Sequence, residues 1–221
     1  MTHLNFCGYC CINCNAIIQT AIHDSIYINI FVMLSSFIVL TAIILALLFA
    51  ANKNYNAGLD SNTIAQTASM PLTSAAMILG IGIGGFIDGI VLHQVLQWHE
   101  MLSNKLPPDN LLDKNVNTFW DGIFHLFTLV ATMLGIYLLW KLLTKINTNK
   151  SGYLLAGGML LGWGLFNMVE EIINHQLLQL HNVREFIPNK DAYNYGFLLF
   201  SLALLLAGKL LVRKGHVKML L

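Results

Sequence analysis

Histidines at a repeated spacing are the residues of this sequence best suited to chemistry. The stretch His93–His99 reads HQVLQWH, and His175–His181, 82 residues later, reads HQLLQLH. When residues 80–99 are aligned with residues 162–181, eight of the 20 positions are identical. Neutral imidazole nitrogens bind zinc, copper, iron and nickel. The pattern therefore predicts a transition-metal or haem site to which two similar segments contribute.

Carboxylates accompany these histidines. Asp88 aligns with Glu170, and Asp121 lies one helical turn before His125 in another apolar segment, a position that Asp191 takes before the last one. A carboxylate can bind a metal or accept a hydrogen bond from the ring nitrogen of a histidine ligand that faces away from the ion. The candidate metal ligands are His93, His99, His125, His175 and His181, and the candidate ligand or supporting carboxylates are Asp88, Asp121 and Glu170.

Two other functions stay open for the same residues. A transporter or proton conduit could be lined by Asp88 and Glu170, because ionisable groups inside a membrane are costly and commonly mark a pathway. A structural assembly subunit without a cofactor could use the same groups only as a hydrogen-bond network. The residue types specify no reaction, so whether the protein is an enzyme does not follow from them.

The composition indicates the solvent in which these residues lie. Of 221 residues, 56% are apolar and 10% are charged, whereas soluble domains contain about 25% charged residues. This excludes a soluble globular enzyme, and it also excludes disorder, which requires low hydrophobicity. The net charge of +1 gives no reason to expect a nucleic acid as partner. The expected environment is the lipid bilayer.

Five apolar segments reach the length of about 20 residues that a membrane-spanning helix needs. We therefore predict an all-α integral membrane protein with five transmembrane helices. The spans are residues 26–51, 71–99, 119–143, 153–179 and 195–211.

The repeat predicts how the last four helices are arranged. Each repeat unit contains two spans, and an even number restores the chain direction, so we expect two parallel, pseudo-symmetric helical hairpins. The predicted parts are a tail with four cysteines at 1–25, an extra helix at 26–51 and a four-helix domain at 70–213.

Helical geometry places the polar groups at one membrane depth. At about 100° per residue, Asp88 and His99 would share one stripe of their helix. His93 and Gln97 would form a second stripe about 140° away. The polar groups lie late in the second and fourth spans and early in the third and fifth, so we expect them all near one membrane face.

Basic residues in the short loops predict the orientation. One side carries eight Lys and Arg residues and the other carries four. The richer side is expected in the cytoplasm. This predicts an outside N-terminus and a cytoplasmic C-terminus in the bacterial inner membrane, with the polar groups toward the outer surface.

All cysteines of the sequence lie in the N-terminal tail. They are Cys7, Cys10, Cys11 and Cys14. Four thiolates can close a zinc site, but disulfides are equally expected for a tail outside the cell. Both roles stay open.

Four segments together are similar to a known family. They are residues 84–99 (GGFIDGIVLHQVLQWH), residues 121–125 (DGIFH), residues 164–170 (GLFNMVE) and residues 181–184 (HNVR). The chain resembles, over about residues 70–213, the bacterial family of predicted membrane proteins of unknown function numbered 2243.

The resemblance implies a four-span fold and these site residues, but no reaction. It makes the first span and the cysteine tail additions. It also implies copper or haem handling linked to respiratory oxidases, with other membrane or respiratory proteins as partners. The sequence departs from the family pattern at Glu100, Gln176 and Asn182, where the family tends to have His, at Glu171, where it has Gly, and at Asn174, where it has Asp. These departures are expected to weaken the support of a metal ion.

Overall fold

The computed structural model describes residues 34–35, 37–50, 70–143 and 150–217. The chain divides into two compact units, residues 1–39 and 40–221. The second unit contains every helix described from residue 70 onward. The cysteine tail, with Cys7, Cys10, Cys11 and Cys14, lies outside the described residues.

The described residues contain five apolar helices and no strand, which confirms the all-α prediction. Helix α1 is shorter than a full span, and the rest of the span predicted at 26–51, apart from Leu34 and Ser35, falls outside the described residues. The four helices that follow are each long and apolar enough to cross a membrane, counting the turns that extend two of them. The bounds are Phe37–Ala50 for α1, Met70–Ile87 for α2, Leu111–Leu143 for α3, Gly152–Val169 for α4 and Lys190–Val217 for α5.

Helices α2 and α4 both continue as π-helices. The first π-helix is Asp88–Val95 and the second is Glu170–Leu177. Each then opens further, because Trp98 N–H donates to Leu92 O at 2.9 Å and Leu180 N–H to Asn174 O at 2.8 Å. Such wide turns are rare in proteins, and those that occur often lie at functional sites.

The second and fourth spans end earlier than the sequence predicts. They were expected to continue to residues 99 and 179, but the chain leaves the helix after Val95 and Leu177. At Gln97 and Gln179 the φ angles are 50° and 51°. A left-handed residue is costly outside glycine, and it reverses the local path of the chain. Apolar periodicity alone did not reveal this turn.

Close approach of backbones holds the centre of the bundle together. Helix α2 packs against α3 and α4, and α4 packs against α5. A Cβ atom at Gly80 would lie 2.2 Å from Met159 O, and one at Gly162 would lie 1.9 Å from Met77 O. Only glycine permits this contact between α2 and α4, which is the small-residue packing of membrane helices.

Two irregular loops, residues 96–110 and 178–189, meet at one end of the bundle. Asn104 N–H donates to Leu180 O at 3.0 Å, and Glu185 N–H donates to Trp98 O at 2.9 Å. The two histidine segments therefore lie at the same end. This excludes any arrangement in which His99 and His181 face opposite membrane surfaces.

Candidate metal centre

The four repeated histidines converge, although the regular helix predicted from the sequence would separate them. The ring centroids of His93 and His99 are 4.2 Å apart. The expectation that these two side chains occupy different stripes is therefore wrong. The physical reason is the wide π-helical turn followed by the left-handed residue at Gln97, which together turn His99 back toward His93.

Histidines of the second segment complete the cluster. His181 stacks on His99 with centroids 4.6 Å apart and ring planes within 7° of parallel. His175 lies edge-on to His181 at 4.7 Å, and His93 lies 5.9 Å from His181. All four side chains are buried, with at most 4% of their surface exposed.

Backbone carbonyls of the two loops orient two of these rings. His99 Nδ1 donates to Val183 O at 2.8 Å, and His181 Nδ1 donates to Met101 O at 2.9 Å. A carbonyl oxygen only accepts, so both Nδ1 atoms carry the proton. The neutral ring then presents a lone pair on Nε2, the form that binds a metal.

Carboxylates orient the other two rings. His93 Nδ1 is 3.0 Å from Asp121 Oδ1, and His175 Nδ1 is 2.7 Å from Glu171 Oε2. Asp121 Oδ1 also accepts from the backbone N–H of Met101 at 3.0 Å. A carboxylate on the far nitrogen of an imidazole is a common support for a metal ligand, because it fixes the ring and raises its basicity.

The Nε2 atoms of all four histidines are buried and have no hydrogen-bond partner. Two carboxylates come near them without forming hydrogen bonds of normal geometry. Asp88 Oδ2 lies 3.3 Å from His93 Nε2, and Glu170 Oε1 lies 3.2 Å from His181 Nε2. Buried polar atoms almost always have a partner. These four nitrogens lie together among buried groups that could hold a metal ion.

Two overlapping groups of these residues could hold a metal ion. His93, His99 and His181 form one group, and Glu170, His175 and His181 form the other; within each group the ligand atoms lie within 4.8 Å of one another. Both groups use His181. The two groups therefore overlap and cannot both be filled through the same nitrogen of His181.

A family model for predicted membrane proteins, DUF2243, matches residues 75–215. The chain belongs to this family. The match confirms the resemblance inferred from the motifs. It covers the whole candidate centre, and its description specifies a membrane protein without an activity. No curated protein and no solved structure matches the chain.

His125, a predicted ligand in this DUF2243 chain, lies beside the centre and belongs to neither convergent group. It is half-buried on α3, with its ring 6.2 Å from that of Phe86. A Cβ atom at Gly89 would be 2.5 Å from His125 Cε1, so the glycine makes room for this ring.

Glu171 has a role that the sequence reasoning missed. As a departure from the family pattern it was expected to weaken the site, yet its side chain is fully buried and supports His175. Its position one helical turn before His175 was the signal that could have revealed it. Every residue has a backbone carbonyl, so no sequence pattern could have indicated that the carbonyl groups of Met101 and Val183 orient histidine rings.

The structure also corrects the predicted equivalence of Asp121 and Asp191. Asp121 accepts from the N–H of Met101, and Asn194, rather than Asp191, accepts from the N–H of Val183 at 3.0 Å. The sequence match failed because the two connecting segments differ in length.

Two groups at the loop end of the centre have shifted pKa values. Burial lowers the pKa of His99 well below 6.5, and three neighbouring imidazoles act in the same direction. Burial, with the nearby charge of Asp121, raises the pKa of Glu100. Lys114, which lies 3.8 Å from Glu100, opposes that rise. The neutral state of His99 is thus the stable one at pH 7.

Proposed function

We propose that the protein binds one transition-metal ion near one face of the membrane. Its ligands are the Nε2 atoms of His93, His99, His175 and His181. The observation that carries the proposal is the set of four buried, unpartnered Nε2 atoms on rings whose Nδ1 atoms all have acceptors.

Nearby carboxylates make the centre suitable for a cation. Asp88 and Glu170 lie beside the Nε2 atoms, and Asp121 and Glu171 lie behind two of the rings. Buried charge is costly unless an opposite charge compensates it. A divalent ion supplies that compensation. Imidazole donors favour zinc, copper, iron or nickel over magnesium and calcium, which prefer oxygen.

The tight packing of the rings favours an ion over haem. The ring centroids of His99 and His181 are 4.6 Å apart, and those of His181 and His175 are 4.7 Å apart. A porphyrin inserted among these rings would have to separate them. A single ion requires no such separation, since the ligand atoms of each group of three already lie within 4.8 Å of one another.

Binding is also better supported than conduction. Helices α2 and α4 contain no Asp, Glu, Lys, Arg or His along Met70–Ile87 and Gly152–Val169. At their crossing, Gly80 and Gly162 bring the two backbones into direct contact, which leaves no path between them. A proton conduit lined by Asp88 and Glu170 would therefore end at the centre.

We further infer that the two histidine segments belong to an internal structural repeat of two parallel hairpins. Several features recur at an offset of 82 residues. They are the bounds of α2 and α4, the bounds of the two π-helices, the left-handed residues and the crossed bonds from His99 to Val183 and from His181 to Met101. With the predicted orientation, the centre lies toward the outer face of the bacterial inner membrane.

Elemental analysis of the purified full-length protein tests the proposal. Cells are grown with zinc, copper, iron and nickel, and metal is measured per chain together with the absorption spectrum. We expect about one ion per chain and no Soret band. The matched control is His216→Ala, which removes a histidine near the other end of α5. The variant with alanine at His93, His99, His175 and His181 should lose the ion, whereas His216→Ala should keep it.

Three results would contradict the proposal. A Soret band would identify haem. Metal retained by the fourfold variant would place the ion elsewhere, for example in the cysteine tail. Folded wild-type protein that takes up none of the four metals would move the histidines to a purely structural network.

A further inference from the structure

A cleft lies beside the metal centre, between the first π-helix, α4 and α5. Its volume is about 570 Å³, within the range of pockets that hold small molecules. The wall is mostly apolar and aromatic and includes Trp98, Trp163 and Phe197. Ile87, Val91 and Phe200 also line it, and each has at least 37% of its surface exposed on the outside of the bundle. Apolar side chains of the kind that contact lipid therefore border the opening.

Two buried polar side chains interrupt this apolar wall. Asn167 is 1% exposed, and neither its Oδ1 nor its Nδ2 has a hydrogen-bond partner. Asp88 is 5% exposed, and its Oδ2 makes no hydrogen bond, although it lies 3.3 Å from His93 Nε2. An unmade buried hydrogen bond costs free energy. Three unsatisfied atoms in one apolar cleft indicate a ligand that satisfies them.

The chemistry of these atoms specifies the head group of the ligand. Asp88 Oδ2 and Asn167 Oδ1 accept hydrogen bonds, and Asn167 Nδ2 donates one. A hydroxyl group both donates and accepts, so it can form hydrogen bonds with both side chains. A carboxylate head would be repelled by Asp88. The apolar walls and lipid-facing mouth require the rest of the molecule to be apolar.

Small residues on α5 create the space for such a molecule. Phe197 lies 5.8 Å from His175, as Phe124 lies 5.6 Å from His93 on α3. Counted from these phenylalanines, Ala192 and Gly196 of the cleft correspond to Phe119 and Ile123 on α3. The cleft thus has small residues where the equivalent face of α3 has large ones.

We propose that this cleft binds a membrane-soluble alcohol or phenol, with its hydroxyl on Asp88 and Asn167. The hydroxyl then lies one side chain from the metal centre, because Asp88 Oδ2 is 3.3 Å from His93 Nε2. The cleft gives a lipid-soluble molecule access to the centre from within the bilayer. This inference goes beyond metal binding and stands on the cleft and its unpartnered atoms.

Quenching of tryptophan fluorescence measures the proposed binding directly. Trp98 and Trp163 line the cleft, so a bound brominated molecule quenches them. The probe is 4-bromophenol, added to the full-length protein in detergent. The matched probes are 4-bromoanisole, which lacks the hydroxyl proton, and 4-bromobenzylamine, which is a cation. We expect saturable quenching by the phenol, at least about tenfold tighter than by either matched probe. The anisole cannot donate to the buried acceptors, and the ammonium group cannot accept from Asn167 Nδ2.

Variants separate the cleft from non-specific uptake into detergent. The double variant Ala192→Phe/Gly196→Ile fills the wall with the residues found on α3. No atom lies within 4 Å of a Cβ built at Gly196, so the first carbon of the new side chain meets no neighbour. Gly122→Ile is the control, since its Cβ position is equally open and lies outside the cleft. Asn167→Leu keeps a side chain of similar size and removes the amide group.

The expected results distinguish this inference from the metal proposal. The filled double variant should lose saturable quenching and keep its metal content, while Gly122→Ile should match the wild type in both. Asn167→Leu should reduce the preference for phenol over anisole and leave only the part that Asp88 Oδ2 supplies. Equal affinities of all three probes for the wild type, a preference for the amine, or full binding by the filled variant would overturn the inference, whatever the metal content.

Discussion

The imidazole of His99 stacks on that of His181, with centroids 4.6 Å apart, and each ring is held by the other segment's loop. His99 donates to Val183 O in the loop after His181, and His181 donates to Met101 O in the loop after His99. Each loop therefore orients the ligand of its partner. The rings of His99 and His181 take this arrangement only when the two loops are packed together, so the proposed metal binding would be coupled to the packing of the loops.

Equal losses are expected from His99→Ala and His181→Ala. Each ring donates from Nδ1 to a backbone carbonyl of the other segment's loop, and both rings are buried, so each substitution should lower metal affinity by a similar factor. That factor should exceed the roughly 10–100-fold that follows loss of a supporting partner. Competition with a chelator of known affinity measures it. Retained affinity in one variant and complete loss in the other would show that the two rings are not equivalent ligands.

Much of this centre could be predicted from the sequence. The repeated histidines and their carboxylates were found from spacing, and the prediction that they lie at one end of the bundle agrees with the stacking of His99 on His181. Apolar segments gave the four long helices, though α3 and α5 begin earlier than predicted, at Leu111 and Lys190. The residues before the predicted starts include Asp113 and Lys114 in α3 and Lys190 and Asp191 in α5, and a search for apolar segments leaves such charged turns out.

The directions in which the side chains point could not be predicted, for a geometric reason. A regular helix places successive residues 100° apart, and this assumption separated His93 from His99. Hydrogen bonds that span five and six residues, such as Trp98 N–H to Leu92 O, change that angle. Nothing in residue type distinguishes a π-helix from an α-helix here. The missing information was the backbone path, not the identity of the ligands.

Glycine-to-alanine substitutions at the α2–α4 crossing should destabilise the bundle. A Cβ at Gly80 would lie 2.2 Å from Met159 O, and one at Gly162 would lie 1.9 Å from Met77 O. Overpacking of this kind costs about 1–3 kcal/mol. Thermal unfolding in detergent measures the loss. Gly122→Ala is the control and should stabilise α3 by roughly 0.5–1 kcal/mol, since its Cβ meets nothing and alanine is the better helix former. Equal unfolding temperatures for Gly80→Ala and Gly122→Ala would refute the close crossing.

Acid should destabilise the metal-free protein through His99. Burial lowers the pKa of His99 below 6.5 in the folded chain, whereas the unfolded value is about 6.5. The unfolded state therefore binds the proton first, and the contribution of neutral His99 to stability is lost as pH falls below 6.5. We expect the unfolding temperature of chelator-treated wild type to fall more steeply between pH 7.5 and 5.5 than that of His99→Asn. Parallel pH profiles for the two proteins would contradict the assignment.

His125 should contribute less to metal binding than the four clustered histidines. Its ring lies against Phe86 and Phe124 and outside the convergent groups. We expect His125→Leu to retain at least half of the bound metal under conditions in which His93→Leu loses nearly all of it. Metal per chain is measured after identical dialysis. A larger loss in His125→Leu would return His125 to the ligand set.

Exchange of the supporting carboxylates gives the sharpest test of how the two halves differ. Asp121 on α3 supports His93, but the residue in the equivalent place beside Val183 is Asn194, and His175 is instead supported by Glu171.

Glu171, on the second π-helix, therefore takes the role of the aspartate that α5 lacks. Asp121→Asn and Glu171→Gln should each weaken metal binding by about 10–100-fold, because each leaves one ligand without a charged acceptor. Asp191→Asn, on the exposed first turn of α5, should have no effect. If the compensation is correct, adding Asn194→Asp to Glu171→Gln should restore part of the affinity, as measured by chelator competition. Adding the same change to Asp121→Asn should restore none, since Asn194 lies beside the other half of the centre. Restoration in both backgrounds would mean that the carboxylates act only through their total charge and not through the rings they contact.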